Sequence, residues 1–261
     1  MKKTELDGNE IFSGPKNGVR FSWLISGEAI ANDLTIQPGD VVILDGANTI
    51  KIWGKATFID VYSTITTNLP ITSVRRLKDL KDTTGGCNVS TDGSLFRRLQ
   101  VAWQAVSPGS VTPDGQNSVG CHTVMMNDNA SSRAHYHPSK AIGGGRAQRE
   151  MYFVLDANQV FSREHYKRLW DPAGRHGIET WEDPESQGAL FEVENPKTRR
   201  MELWRGLTRP GHFTPLVAGD VVCIDANVGH RGVGTVANVV ALPGFKPQNE
   251  IYLENAFLVK G

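Results

Sequence analysis

The sequence predicts an all-β protein, a sandwich or barrel of mostly antiparallel strands. Three observations carry this. Short apolar runs recur along the chain, among them "VVILDG", "ATFIDVYS", "HTVMM", "EMYFVLD", "MELWRGL", "DVVCIDA" and "NVVALPG". They are rich in β-branched and aromatic residues, which fit a pleated, half-buried surface. Gly, Pro, Asn and Asp cut the runs at short intervals, as turns between strands do, and helical patterns are few.

The length of 261 residues suits one large domain or two small ones, with a sizeable core. Lys plus Arg and Asp plus Glu both total 28, so the basic footprint of a nucleic-acid binder is missing. No apolar run approaches the ~20 residues of a membrane-spanning helix. The opening "MKKTELDGNEIFSGPKNG" has two lysines but no apolar core behind them, unlike a secretory signal. Three widely spaced cysteines (Cys87, Cys121, Cys223) suit reduced thiols better than a disulfide framework. The expectation is a soluble cytoplasmic protein whose partner is a small molecule, not a nucleic acid or a membrane.

The elements follow in chain order. "GDVVILD" (39–45) enters a strand, and Gly54 leads into another, "KATFIDVY". "ITSVRRLKDLKD" (71–82) reads as a short helix before the linker "TTGGCN". A boundary near residue 86 then divides a β-rich N-terminal segment (1–86) from a main domain (87–261). "SREHYKRLW" (162–170) reads as a second short helix, with Ser162 as N-cap and "DPAG" as stop. "ENPKTRR" (194–200) reads as a hairpin connection. "GDVVCID" (219–225) matches "GDVVILD" at five of seven positions, 180 residues later. The echo is either chance or a duplicated β-module. At the same offset, His230 corresponds to Ile50, so a first copy has no equivalent of that histidine.

The candidate chemistry begins at "AHYHP". Strand residues i and i+2 share a face, so His135 and His137 aim two imidazoles at one point. Glu150 opens "EMYFVLD", where Glu150, Tyr152 and Val154 share one face and Met151, Phe153 and Leu155 the other. His230 lies just past "GDVVCIDANVG". Three imidazoles and one carboxylate suit Fe(II), Mn(II), Ni(II), Co(II) or Zn(II), and leave two octahedral positions for substrate or water.

These residues resemble the cupin pattern. Its first motif is H-x-H, a spacer, Glu and an apolar strand, here "HYHP…REMYFVLD". Its second is P-x-G-D, an apolar strand and a His, here "PLVAGDVVCIDANVGHRG". The resemblance covers about residues 90–245. It implies a double-stranded β-helix barrel with one divalent metal on His135, His137, Glu150 and His230. The N-terminal segment is then either a degenerate, metal-free cupin half or a set of extra strands on the one barrel. The resemblance also implies a homodimer.

The spacer from His137 to Glu150 holds twelve residues, "PSKAIGGGRAQR", where cupins usually have three or four. Its Gly triplet and Lys140, Arg146 and Arg149 form either a lid that clamps a substrate carboxylate or phosphate, or a solvated loop. Tyr152, beside Glu150, is either a proton donor or a structural barrel tyrosine. His122, His165, His176 and His212 are expected to be packed or surface groups. No P-loop, dinucleotide loop, C-x-x-C pair or serine nucleophile elbow is present. The expected function is a metal-dependent enzyme on a small, oxygen-rich, anionic substrate, by isomerase-type or dioxygenase-type chemistry with Glu150 and Tyr152 as catalytic groups. The alternative is a non-catalytic metal- and ligand-binding protein.

Overall fold

A computed structural model describes residues 1–63, 72–82, 96–106, 118–126, 130–140, 147–164, 173–195, 199–242 and 250–255. Strands dominate them, joined by one short helix, α1 (Ala157–Phe161), and by short 3-10 turns. The expected all-β class is the one observed. Three sheets stack as layers.

The N-terminal sheet contains β1 (Lys2–Ser13), β2 (Val19–Ala31), β3 (Leu34–Ile36), β4 (Val41–Asp45), β5 (Thr49–Ser63) and β6 (Thr72–Arg75). Its order is β1-β5-β2-β4-β6, with β3 on β2. The middle sheet contains β7 (Lys81–Asp82), β8 (Phe96–Val106), β9 (Ser118–Met126), β11 (Arg149–Val154), β16 (Val221–Ile224) and β18 (Val236–Leu242), in the order β16-β11-β18-β9-β8-β7. The outer sheet contains β10 (His135–Tyr136), β12 (Gly177–Trp181), β13 (Leu190–Glu194), β14 (Met201–Leu207), β15 (His212–Pro215), β17 (Gly229–Val233) and β19 (Ile251–Asn255). Its order is β13-β14-β19-β10-β17-β12-β15.

Alternation along β11 explains the layering. Tyr152 faces the outer sheet and packs with Val124, Ile178, Ile224 and Val239, which closes a barrel between the two sheets. Phe153 and Leu155 face the other way, onto Phe21, Trp23, Ile43 and Val61 of the N-terminal sheet. Trp23 and Phe153 meet across that interface with ring centroids 5.4 Å apart. The far face of the N-terminal sheet curls around its own core, with Phe12, Leu24, Leu44, Ile50 and Phe58. A strand buried on both faces cannot alternate apolar and polar residues, hence the unbroken "MYFVL".

The repeated GDVV segments have the same local geometry. Gly39 and Gly219 have φ of +92° and +93°, a region that only glycine occupies without strain. Gly39 N–H donates to Leu24 O at 2.9 Å, and Gly219 N–H donates to Val154 O at 2.9 Å. The Asp40 carboxylate accepts from Gln37 N–H at 2.9 Å, and Asp220 accepts from Val217 N–H at 2.8 Å. β4 pairs with β2 as β16 pairs with β11, with Arg20 opposite Leu44 and Glu150 opposite Ile224. Phe12 pairs with Ile50 as His135 pairs with His230. Register therefore places Arg20 at the position of Glu150, Ile50 at that of His230 and Phe12 at that of His135.

The helix expected over 71–82 and the N-cap expected at Ser162 are corrected. Residues 72–82 form β6, a 3-10 turn at Leu77–Asp79 and β7 instead of a helix. β4 needs a partner on its free edge, and β6 supplies it through Val41↔Arg75 and Val42↔Val74. The buried Leu77 is pinned by its N–H donating to Asp40 Oδ1 at 2.8 Å. α1 (Ala157–Phe161) ends at Ser162, its C-cap, so Ser162 does not N-cap a helix over 162–170. Asp156 is the N-cap, its carboxylate accepting from Asn158 and Gln159 N–H. Residues 165–172 lie outside the described residues, as does the boundary near residue 86. The 194–200 connection does join an antiparallel hairpin, β13–β14.

Phe153→Ala should destabilise the fold by about 3–5 kcal/mol, the usual cost of emptying a buried aromatic site. The readout is the urea midpoint. Val217→Ala, at a position 68% exposed, should change stability by no more than about 0.5 kcal/mol.

Candidate metal centre

His135 sits on β10 and His230 on β17, directly opposite one another in the ladder. Opposed residues share a face, and His137 regains it two residues on. Glu150 enters from β11 of the facing sheet. The barrel thus brings two motifs about 90 residues apart to one point. The ligand atoms of His135, His137, Glu150 and His230 all lie within 4.8 Å of one another. An octahedral centre with bonds of about 2.1 Å sets its donors roughly 3.0–4.2 Å apart, which this cluster approaches.

The hydrogen bonds orient each ring. His135 Nδ1 lies 3.1 Å from Arg133 O, and His230 Nδ1 lies 3.0 Å from Val228 O. Each Nδ1–H donates to a carbonyl, which turns the Nε2 lone pair towards the cluster. His230 Nε2 faces Glu150 Oε2 at 3.3 Å, and His137 Nε2 faces Glu150 Oε1 at 3.2 Å. A neutral imidazole nitrogen and a carboxylate oxygen are both acceptors. A shared divalent cation satisfies both, which is the fit of this donor set to a metal.

Electrostatics agree. Burial, reinforced by His230 and His137, pushes the His135 imidazole down to about 3, so it is neutral and free to ligate near pH 7. Burial alone would raise Glu150, but its contacts with His137 and His230 outweigh it and hold the carboxyl well below its usual range. The site is a buried carboxylate among imidazoles, an arrangement suited to one divalent transition metal.

Two more polar groups touch the cluster. The Tyr152 hydroxyl donates to Glu150 Oε2 at 3.2 Å. Gln148 Nε2 donates to Glu150 Oε1 and lies 3.2 Å from His137 Nε2. Gln148 was not anticipated from the sequence, although its place two residues before Glu150 gives it the same face.

The spacer cations behave differently. Lys140 is exposed. Arg149, one residue from Glu150, points to the opposite face and pairs with Asp225 at 3.0 Å in an exposed ion pair. Arg146 lies outside the described residues, as do His165 and the side chain of His122. His212 is exposed on β15, and His176 borders a small cleft beside Asp156 and Gly177.

No family model and no curated protein matches the chain. Several solved structures show a distant likeness. Oxalate decarboxylase from Lactobacillus farciminis, in its formate complex, is 11% identical over 96% of this chain and 78% of its own, with a TM-score of 0.45. AerE from Microcystis aeruginosa is 12% identical over 92% and 84%, with a TM-score of 0.43. A cupin 2 conserved barrel domain protein from Leptotrichia buccalis is 12% identical over 92% and 80%, with a TM-score of 0.42. At such distances the chain's own geometry decides. Two facing, mostly antiparallel sheets, with three histidines and a glutamate converging between them, define a barrel with a site for one divalent metal, as the sequence resemblance implies.

His230→Ala should cut bound metal from about one per chain to near zero, read by elemental analysis of protein purified without added metal. The metal-free protein should also lose stability on acidification. His135 titrates at about 3 when folded against 6.5 when unfolded, so the unfolded chain binds the extra proton first. Its contribution is intact above pH 6.5 and falls as the pH drops towards 3, measurable as a falling Tm.

Proposed function

We propose that this chain is a metal-dependent enzyme acting on a small, oxygen-rich substrate. The carrying observation is the convergence of His135, His137, Glu150 and His230 with a proton-bearing hydroxyl, that of Tyr152, in contact with the cluster. A divalent metal held there would polarise a carbonyl or hydroxyl and stabilise enolate-like negative charge.

The chain's own groups suit proton transfer. Glu150 is anionic, and Tyr152 bonded to it carries a proton that can pass to or from a substrate oxygen. The buried Gln148 amide holds the Glu150 carboxylate in place through Oε1. This favours isomerase-type chemistry, while dioxygenase-type chemistry draws on the same ligand set. Arg146 stays the spacer's candidate for an anionic substrate group, since Arg149 is engaged at the surface.

A second reading, a non-catalytic metal- and ligand-binding protein, has one observation in its favour. Among the described residues, no carboxylate other than Glu150 contacts the cluster, so no separate general base is in view.

We also propose that residues 1–86 are a degenerate, metal-free cupin half, which makes the chain a bicupin. The shared turn geometry of Gly39 and Gly219 and the matched registers support this. Its last described strand, β7, nonetheless pairs in the middle sheet. The proposal extends to a cytoplasmic homodimer. Exposed Ile11 and Trp53 on one face of the N-terminal sheet support self-association, and sedimentation reads the mass.

The test is a screen of sugar phosphates, diketones and hydroxy acids with metal-loaded protein, with oxygen uptake to separate the two chemistries. Chelation should abolish turnover and metal return should restore it. Tyr152→Phe should lower kcat about 100-fold while metal content is unchanged. A wild-type rate in that variant rules out Tyr152 as the proton carrier, and metal-loaded protein inert to every substrate class favours the binding reading.

A further inference from the structure

The outer sheet continues beyond the metal ligands into a row of flat groups that the cluster itself does not use. Tyr252 on β19 pairs directly with His135, and Trp204 on β14 pairs directly with Tyr252. Opposed residues share a face, so both rings lie on the face that carries the imidazoles. The His135 and Tyr252 ring centroids are 6.4 Å apart, and those of Tyr252 and Trp204 are 5.4 Å apart. Arg133, two residues before His135, is on that face too. Its guanidinium lies 5.2 Å from the Trp204 ring centroid and 5.7 Å from that of Tyr252. It also donates to Glu202 at 3.2 Å, and Asn195 holds the other Glu202 oxygen at 2.6 Å.

Three features point to a ligand. Among the four clustered side chains only His135 is not fully buried, and Tyr252 pairs directly beside it. Trp204 Nε1 is a buried donor with no acceptor among the described residues, a state that costs roughly 1–3 kcal/mol unless something accepts from it. The Arg133–Glu202 pair is neutral overall, so the shelf selects by planarity more than by charge.

We propose that Tyr252, Trp204 and Arg133 form the substrate subsite of this metal centre, and that the substrate is a planar, conjugated compound bearing oxygens. Its oxygens reach the cluster at His135, its flat part lies along the aromatic shelf, and Trp204 Nε1 donates to an oxygen at the far end. Saturated sugars, puckered and rich in hydroxyls, fit this shelf poorly. The proposal deepens the metal-centre reading and rests on it.

The experiment uses full-length protein loaded with Co(II), with metal content measured for every variant. Two probes present the same donor groups: salicylate, which is planar, and cis-2-hydroxycyclohexanecarboxylate, which is not. Binding is followed by the cobalt absorption spectrum. Trp204→Leu should weaken salicylate about ten-fold, the scale of a lost aromatic stacking contact, and change the saturated probe less than about two-fold. Trp204→Phe, which keeps a ring but loses the N–H, should fall between wild type and Trp204→Leu. The proposal is overturned if salicylate affinity is unchanged in both variants with metal retained, if both probes weaken alike, or if loaded wild type binds no salicylate. Failure of the wild-type protein to take up cobalt would instead sink the metal-centre reading itself, and the subsite with it.

Discussion

β11 is buried on both faces, and its register fixes nearly everything else. Residues of one parity must fill the core against the N-terminal sheet, and residues of the other must fill the barrel. A slip of one residue would drive the Glu150 carboxylate into the interface occupied by Phe153 and Trp23, and would present Met151 to three imidazoles. Burying an unpaired carboxylate among aromatic rings costs several kcal/mol, so the slipped pairing is not a competitor. The functional cluster and the interlayer core are thus two outputs of one strand register. That register is pinned on one side by β16 and on the other by β18.

The N-terminal sheet shows how the same frame behaves without ligands. At the position of Glu150 it carries Arg20, at that of His230 it carries Ile50, and at that of His135 it carries Phe12. Arg20 does not sit there uncompensated. Its guanidinium forms a two-point pair with Asp60, at 3.0 Å through both Nε and Nη2, and lies 4.1 Å from the centroid of the Phe12 ring. Thr4 and Ser22 donate to the same carboxylate. A buried charge needs an opposite charge and satisfied hydrogen bonds, and here the chain supplies both from its own side chains. In the barrel, Glu150 has no arginine beside it among its described contacts. Its opposite charge has to come from protonated imidazoles or from a bound cation.

Much of this was legible in the sequence because it depends on period-two alternation. The same-face His135 and His137, the sidedness of "EMYFVLD" and the correspondence of Ile50 with His230 all follow from that rule together with the repeated GDVV segment. The segment 71–82 departs from its helical reading because local propensity competes with tertiary demand. Residues 72–82 carry helix-compatible leucines and lysines, but the open edge of β4 takes them as a strand. Asp156, the last residue of the run "EMYFVLD", caps α1. The shelf of Tyr252, Trp204 and Arg133 could not be read at all. It depends on a parallel pairing between β14 and β19, which are about 50 residues apart, and nothing in either segment announces the other. Arg149 shows the reach of the same alternation. Nearness in sequence to a ligand suggested a role at the site, yet the alternation that aims Glu150 inward necessarily aims its neighbour outward.

The charge of the site also bears on its ligand. With Glu150 ionised and the three imidazoles neutral, the cluster holds a single negative charge in a buried setting. A divalent cation leaves it with a net charge of +1, and the two charges on the shelf, Arg133 and Glu202, cancel each other. An isolated net charge in a barrel interior is costly, and a ligand that brings one negative charge removes it. A planar ligand can deliver that charge as a carboxylate or an ionised enol, either of which delocalises over the flat framework that the shelf accommodates. Both the shape of the shelf and the charge of the centre therefore favour a conjugated monoanion over a neutral polyol. Tyr152 stands where the ligand's proton would be given up or regained.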